Sequence, residues 1–343
     1  MREQLHRTLV KARDWYRAGV KRSRFKAEIR EYNERLGLHA DIRDFERARK
    51  LTDCDVEEYF GFEFYQKKSD AERDAYLTRV RRGALIRGMG DVDDGITIPG
   101  NKVLFNMHFS EFLRREWINP TAATAEEFVD FVRRLGTVIV KPAALRCGIG
   151  IRKFHYTDEE AARALHRELY GEAYVVEEVL RQHPQLCAFN PDVLSTLRVA
   201  TYTDADDVHI LATALRTASF SGEGHCVDNM KAGGLGCPVE IGTGRIWAPA
   251  FNVHLQRFET HPLTGTRFVG FQLPMWEETL EMVRAASRKA YLLPQCHYLG
   301  WDVAVTPDGP AIVEGNWQQG CDIIEYGGQR GIYHELARLC QKR

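Results

Sequence analysis

The sequence predicts an α+β protein, a helical N-terminal region followed by mostly antiparallel strands with their helices segregated from them. Two observations carry this expectation. Over residues 1–95 apolar side chains recur at helical intervals almost without proline, whereas from about residue 120 short β-branched runs alternate with turn signals and capped amphipathic helices. The 343 residues suffice for two or three domain-sized units, and 44% apolar with 28% charged residues is ordinary globular usage. A formal net charge of −1 leaves no overall field that would select nucleic acid.

In the first region Leu5, Leu9 and Trp15, then Phe25, Ile29, Tyr32 and Leu36, mark successive helices. Lys and Arg dominate the first thirty residues. That basic face is either solvated, balanced by acidic stretches such as Asp53-Cys-Asp-Val-Glu-Glu58, or a peripheral contact for anionic lipid or glycolipid. No apolar run approaches the ~20 residues of a membrane-spanning helix, and Met1-Arg-Glu-Gln-Leu-His-Arg7 lacks a signal-peptide core, so a cytoplasmic protein is expected. Eight cysteines without a C-x-x-C pair are expected as reduced thiols, and twelve histidines without an H-E-x-x-H motif argue against zinc.

Thr124-x-x-Glu127 is a capping box and Gly136 a stop, so 125–135 should be a helix. Thr137–Lys141 reads as a strand ended by Pro142, followed by the loop Arg146–Gly150 and a returning strand from Ile151 to Phe154. A second capping box, Thr157-x-x-Glu160, should open a helix reaching Gly171, and Ala173–Leu180 reads as a strand. Hairpins are expected around Asp204–Asp207, around Gly242-Thr-Gly244 and around Pro307-Asp-Gly309, with an amphipathic helix over 275–291.

The last hairpin has a readable register. With Pro307-Asp-Gly309 as a three-residue loop, Thr306 pairs with Pro310, Ala304 with Ile312 and Asp302 with Glu314. Asn316 then shares a face with the two carboxylates, while Val303, Val305, Ala311 and Val313 point to the core. Like charges directly across a hairpin repel, so either a cation bound by hard oxygens or simple solvent exposure accounts for the pair. Lys141, at a strand exit before Gly148 and Gly150, offers a compact positive charge beside backbone able to approach a polyphosphate; an ordinary turn with an edge lysine is the other reading.

In order, Lys102, Val140-Lys-Pro142 with its glycine loop, Glu177-Glu-Val-Leu180, Ser195-Thr-Leu-Arg198, Asp228-Asn229 with Gly233-Gly234, and Asp302 with Glu314-Gly-Asn316 resemble the ATP-grasp superfamily. Gln182-His-Pro184, Ser195–Arg198, His261-Pro262 and Gly309-Pro-Ala-Ile-Val-Glu-Gly-Asn316 look more closely like its sugar-transfer-associated family, over about 95–330. The resemblance implies two α+β lobes enclosing ATP. The chain would divide into a helical region (1–95), a connecting segment carrying the first ATP lysine (96–120), a small lobe with the glycine loop (121–176) and a large lobe with the Mg²⁺ site (177–343).

By the same resemblance Lys102 and Lys141 would lie on the phosphates, Gly148 and Gly150 in a mobile lid containing Cys147, and Glu177, Glu178, Val179, Leu180 and His183 on the nucleotide's adenine side. Asp302, Glu314 and Asn316 would hold Mg²⁺, with Mn²⁺ as a substitute. Carboxylate ligases of the superfamily, such as D-alanine–D-alanine ligase, carry an arginine two residues before the first metal aspartate, where this chain has Gly300; Arg198 or Lys231 would take over its charge. The implied reaction is ADP-forming: a carboxylic acid is phosphorylated by ATP and the acyl phosphate captured by an amine, in polysaccharide, glycoconjugate or natural-product synthesis. A small-molecule kinase and a non-catalytic nucleotide-binding accessory protein of a sugar-transfer pathway are the alternatives. A homo-oligomer is compatible with the sequence.

Overall fold

The computed structural model describes residues 20–67, 69–91, 98–145, 148–220, 230, 233–294, 296–317, 319–320 and 322–341. Among the described residues five helices build the N-terminal region: α1 (20–36), α2 (Ile42–Thr52), α3 (Val56–Gly61), α4 (Asp70–Asp74) and α5 (Arg79–Gly88). The expected helical spacing at Phe25, Ile29, Tyr32 and Leu36 is that of residues facing a core of Phe45, Tyr59, Phe60, Phe62 and Phe64. Leu5, Leu9 and Trp15 lie outside the described residues. This core also takes in Phe251 and Tyr326 from the far end of the chain. Tyr333 N–H donates to Ala75 O at 2.9 Å and Tyr76 OH to Gln329 O at 2.6 Å, so the helical region and the C-terminal helices α10 (Asp322–Gly328) and α11 (Tyr333–Cys340) are packed together.

Helix α6 (Lys102–His108), capped by Asn101, leads to a four-stranded antiparallel sheet in the order β1 (Trp117–Ile118), β4 (Tyr174–Glu178), β2 (Thr137–Pro142), β3 (Arg152–His155). Helices α7 (Ala125–Leu135) and α8 (Glu159–Leu169) cover one face of it. The Thr124–Glu127 capping box and the Gly136 stop form as expected. The next helix departs from expectation. Asp158, not Thr157, caps α8 by accepting from Ala161 N–H, and the helix ends at Leu169. Both residues are competent caps; the aspartate sits one residue closer to the first turn.

The large sheet has seven antiparallel strands in the order β11 (Gly309–Trp317), β10 (Tyr298–Thr306), β5 (Thr196–Thr203), β6 (Val208–Ala218), β7 (Gly234–Val239), β8 (Ala250–Phe251), β9 (Arg257–Phe258). One face, through Leu197, Val199, Leu215, Trp301 and Val303, packs on α9 (Trp276–Tyr291) and α6. The other face carries Ala200, Tyr202, Ala214 and Tyr298 beneath Leu77, Ile86 and Leu336. The hairpin expected around Gly242-Thr-Gly244 shrinks to a single bridge, Val239 to Ile246, and β7 next pairs Gly236 with Phe251 of β8 on its edge away from β6.

The terminal hairpin corrects the expected register. Its turn has two central residues, Pro307-Asp308, so Thr306 pairs with Gly309, Val305 with Pro310, Ala304 with Ala311 and Val303 with Ile312. A β-bulge at Val313 then inserts one extra residue, and Asp302 pairs with Glu314 after all. Ile312 joins the core in place of Val313, which is half-buried and faces the cavity described below.

Candidate nucleotide and metal site

Alternation decides which side chains are free to work. On β2, Val138 and Val140 pack against α7 and α8, which leaves Ile139 and Lys141 on the opposite face. On the large sheet Arg198, Asp302, Glu314 and Asn316 sit on the face of Ala200 and Tyr298, beyond the cover of α5 and α11. These two exposed faces bound one continuous cavity of about 430 Å³. Lys102, Lys141, Gly148, Glu177, Glu178, Val179, Leu180, Arg198, Asp302, Glu314 and Asn316 all line it, so most of the residues singled out in the sequence are brought together.

Lys102 opens α6; its Nζ donates to Leu145 O at 2.6 Å, and its charge reaches Glu314. Gly148 and Gly150 both take positive φ, 72° and 75°, as expected for a loop that exposes backbone. Cys147 lies outside the described residues, as do Lys231 and Asp228-Asn229. His183 does not line the cavity: its backbone N–H donates to Val305 O at 2.8 Å and its Nδ1 accepts from Gln185 N–H at 3.2 Å, a turn-building role.

Glu177 lines the cavity from a closed pocket. It is 2% exposed, and its carboxylate accepts from Lys141 Nζ at 2.5 Å, Arg115 Nε at 2.9 Å and Asn106 Nδ2 at 2.7 Å. Burial alone would raise its pKa, but the charges of Arg115 and Lys141 outweigh burial and hold it well below the usual carboxylate range. Neither Arg115 nor Asn106 is signalled by the sequence, because both reach Glu177 only through tertiary packing.

Asp302 lies on β10 between Arg198 of β5 and Glu314 of β11. Arg198 Nε donates to Oδ1 at 2.6 Å, Arg216 Nη2 lies 2.9 Å from Oδ2, and Asn316 Nδ2 donates to Oδ2 at 3.1 Å. Burial opposes the Asp302 charge, yet the two guanidiniums prevail and keep its pKa low. Glu314 is pushed the other way, by burial and then by the Asp302 charge. Arg198 is thus no surface ion pair, and Arg216, unmarked in the sequence, completes the clamp.

Among the described residues no three His, Cys, Asp or Glu side chains converge as a cage. Two carboxylates and an amide oxygen on adjacent strands still suit a hard cation that draws its remaining ligands from phosphate and water, as Mg²⁺ does. Above Gly300 the place of an arginine is filled: a β-carbon there would lie 2.2 Å from Gln319 Oε1. Gln319 is 3% exposed, and neither amide atom has a partner among the described residues.

A family model described as sugar-transfer associated ATP-grasp matches residues 92–341. Comparison with curated proteins finds no match. Among solved structures the chain is similar to D-alanyl-alanine synthetase A from Vibrio cholerae, at 13% identity over 71% of this chain and 65% of that one, TM-score 0.41. It is also similar to the ATP-grasp ligase PsnB complexed with a minimal precursor, at 15% identity over 71% of this chain and 60% of that one, TM-score 0.42. The chain spans less than two thirds of the length of either.

Proposed function

This chain belongs to the sugar-transfer-associated ATP-grasp family, and on that premise we propose that it is an ADP-forming ligase that activates a carboxylic acid with ATP and joins it to an amine. The observation that carries the reading is the opposed pair Asp302 and Glu314, with Asn316, in one cavity with Lys102 and Lys141. Ile139, Ile151, Val179 and Leu180 give that cavity an apolar wall suited to a purine, and Lys102 and Lys141 meet the phosphates.

Mg²⁺ held by Asp302, Glu314 and Asn316 would supply charge neutralisation on the phosphate oxygens. The rest falls to the chain. Lys102 and Lys141 hold the phosphates in place, and Arg198 and Arg216 keep Asp302 ionised and present positive charge beside the phosphoryl group. An oxygen of the acid attacks the γ-phosphorus and ADP leaves; the amine then attacks the acyl carbon, the C–N bond forms, the C–O bond to phosphate breaks, and the amine's proton is lost to solvent. No side-chain nucleophile is needed, so none of the cysteines takes a part in this reaction.

A kinase reading is favoured by one observation, the neutral Gln319 amide seated over Gly300, where the resemblance to carboxylate ligases implies an arginine. Positional isotope exchange in ATP, measured with a panel of acids and no amine, tests both readings, together with the search for amide, ADP and phosphate in equal amounts once amines are added. Exchange dependent on an acid, abolished in Glu314→Gln, supports the ligase; a stable phosphorylated product with no amide from any amine supports the kinase. Absence of nucleotide turnover with intact ATP binding supports the accessory protein.

A further inference from the structure

Arg115 joins the two halves of the cavity. It lies between α6 and β1, is 8% exposed, and spends every nitrogen of its guanidinium. Nε and Nη2 hold the two oxygens of Glu177 at 2.9 and 3.1 Å in the small sheet. Nη1 donates to Ile312 O at 2.7 Å and Nη2 to Val313 O at 3.0 Å, the two carbonyls of the bulge in the large sheet. A guanidinium presents its donors in a fixed plane, so it fixes these acceptors relative to one another; an ammonium has no such fork.

The bulge matters because it sets the register. Before it, residue numbers paired across the hairpin run Val303 to Ile312; after it, Asp302 to Glu314. The charge matters too. Glu177 also binds Lys141 at 2.5 Å, and without a second cation it would cancel that lysine's charge. With Arg115, two cations share one carboxylate and the cluster faces the cavity with one net positive charge.

We propose that Arg115 is a positioning residue that couples nucleotide and cation binding: it seats Glu177 so that Lys141 keeps its charge for phosphate, and it pins the Val313 bulge so that Glu314 stands opposite Asp302. The proposal rests on the cation reading of Asp302, Glu314 and Asn316 given above.

The test is ADP binding to the full chain by calorimetry, with and without Mn²⁺, so that no substrate need be known. Wild type should bind ADP more tightly with Mn²⁺, and Asp302→Asn should lose that enhancement. Arg115→Lys keeps a charge beside Glu177 and loses the fork, so metal-free ADP affinity should stay near wild type while the Mn²⁺ enhancement falls by about tenfold or more. Where that variant does not fold, Arg115→Met with Glu177→Met removes the buried Arg–Glu pair together and leaves Lys141, which lines the cavity, as the one charge without its carboxylate partner; the enhancement should fall there as well. Full enhancement in either folded variant overturns the proposal. No enhancement in wild type overturns the cation reading, and the proposal with it.

Discussion

Arg216 Nη2 lies 2.9 Å from Asp302 Oδ2, the oxygen that also accepts from Arg198 Nη2 at 3.3 Å, while Arg198 Nε donates to Oδ1 at 2.6 Å. Two guanidiniums on one buried carboxylate keep Asp302 ionised and leave Glu314 as the partner that takes a proton. A divalent cation requires both carboxylates deprotonated, so its binding weakens as pH falls through the upper titration of the pair. Arg216→Met removes a charge that favours the ionised pair. The pH midpoint of Mn²⁺ binding should therefore move up. An unmoved midpoint in a folded variant would separate Arg216 from the electrostatics of the site.

Lys141→Ala should weaken ATP binding by about one to two orders of magnitude, the loss of one charge-assisted contact worth about 1.5–3 kcal/mol. Glu177 retains Arg115 and Asn106 in this variant, so the fold should persist. Adenosine, which has no phosphates, should bind as to wild type; titrations of both ligands make the comparison. Equal losses for both would place Lys141 away from the phosphates.

What the sequence made legible was local. The α7 cap is two hydrogen bonds within four residues, and Thr124, Glu127 and Gly136 spell it out. The carboxylate pair was legible for a weaker reason: a three-residue turn and a two-residue turn plus a one-residue bulge give the same pairing beyond the bulge, so Asp302 meets Glu314 either way. Val313 shows the difference, since only the second route turns it out of the core. Arg115 and Arg216 were illegible because each acts across a sequence separation, 62 residues from Arg115 to Glu177 for example, and an arginine in a chain rich in arginine carries no signal. The ion pairs of Glu177 were illegible for the same reason: its partners come from other elements. Ordered as a set, however, the motifs did lead to the family whose model matches 92–341.

Gly300→Ala should destabilise the protein by about 1–3 kcal/mol, the usual cost of overpacking a closed site. The added carbon would meet Gln319 Oε1 at 2.2 Å, Cδ at 2.7 Å and Cβ at 2.8 Å. Rotating the amide away relieves the first two contacts and not the third. Gln319→Ala should therefore restore part of the loss in the thermal midpoint and leave a remainder. Complete restoration would mean that only the flexible amide stood in the way; no destabilisation in the single variant would mean that Gln319 is not seated against Gly300.

Glu325 supplies a pH dependence remote from the nucleotide. It is fully buried on α10, and its Oε1 accepts from Leu77 N–H and Ile332 N–H, both at 3.0 Å, which ties the N-terminal helices to the start of α11; Oε2 has no partner among the described residues. Burial pushes its pKa from 4.5 up to about 8. The sign follows from proton counting. Between those two values the unfolded chain has released a proton that the folded chain keeps, so the folded state binds more protons and stability falls as pH rises. The contribution is whole below the unfolded value and is lost as pH climbs through the folded one, by at most about 1.4 kcal/mol per pH unit. Glu325→Gln keeps the acceptor for both N–H groups and removes the titration. Thermal midpoints measured across this window should thus decline less steeply in the variant, with its advantage over wild type widening toward the upper end. Parallel curves would show that Glu325 stays ionised in its site, held by charges other than the two backbone donors that face it.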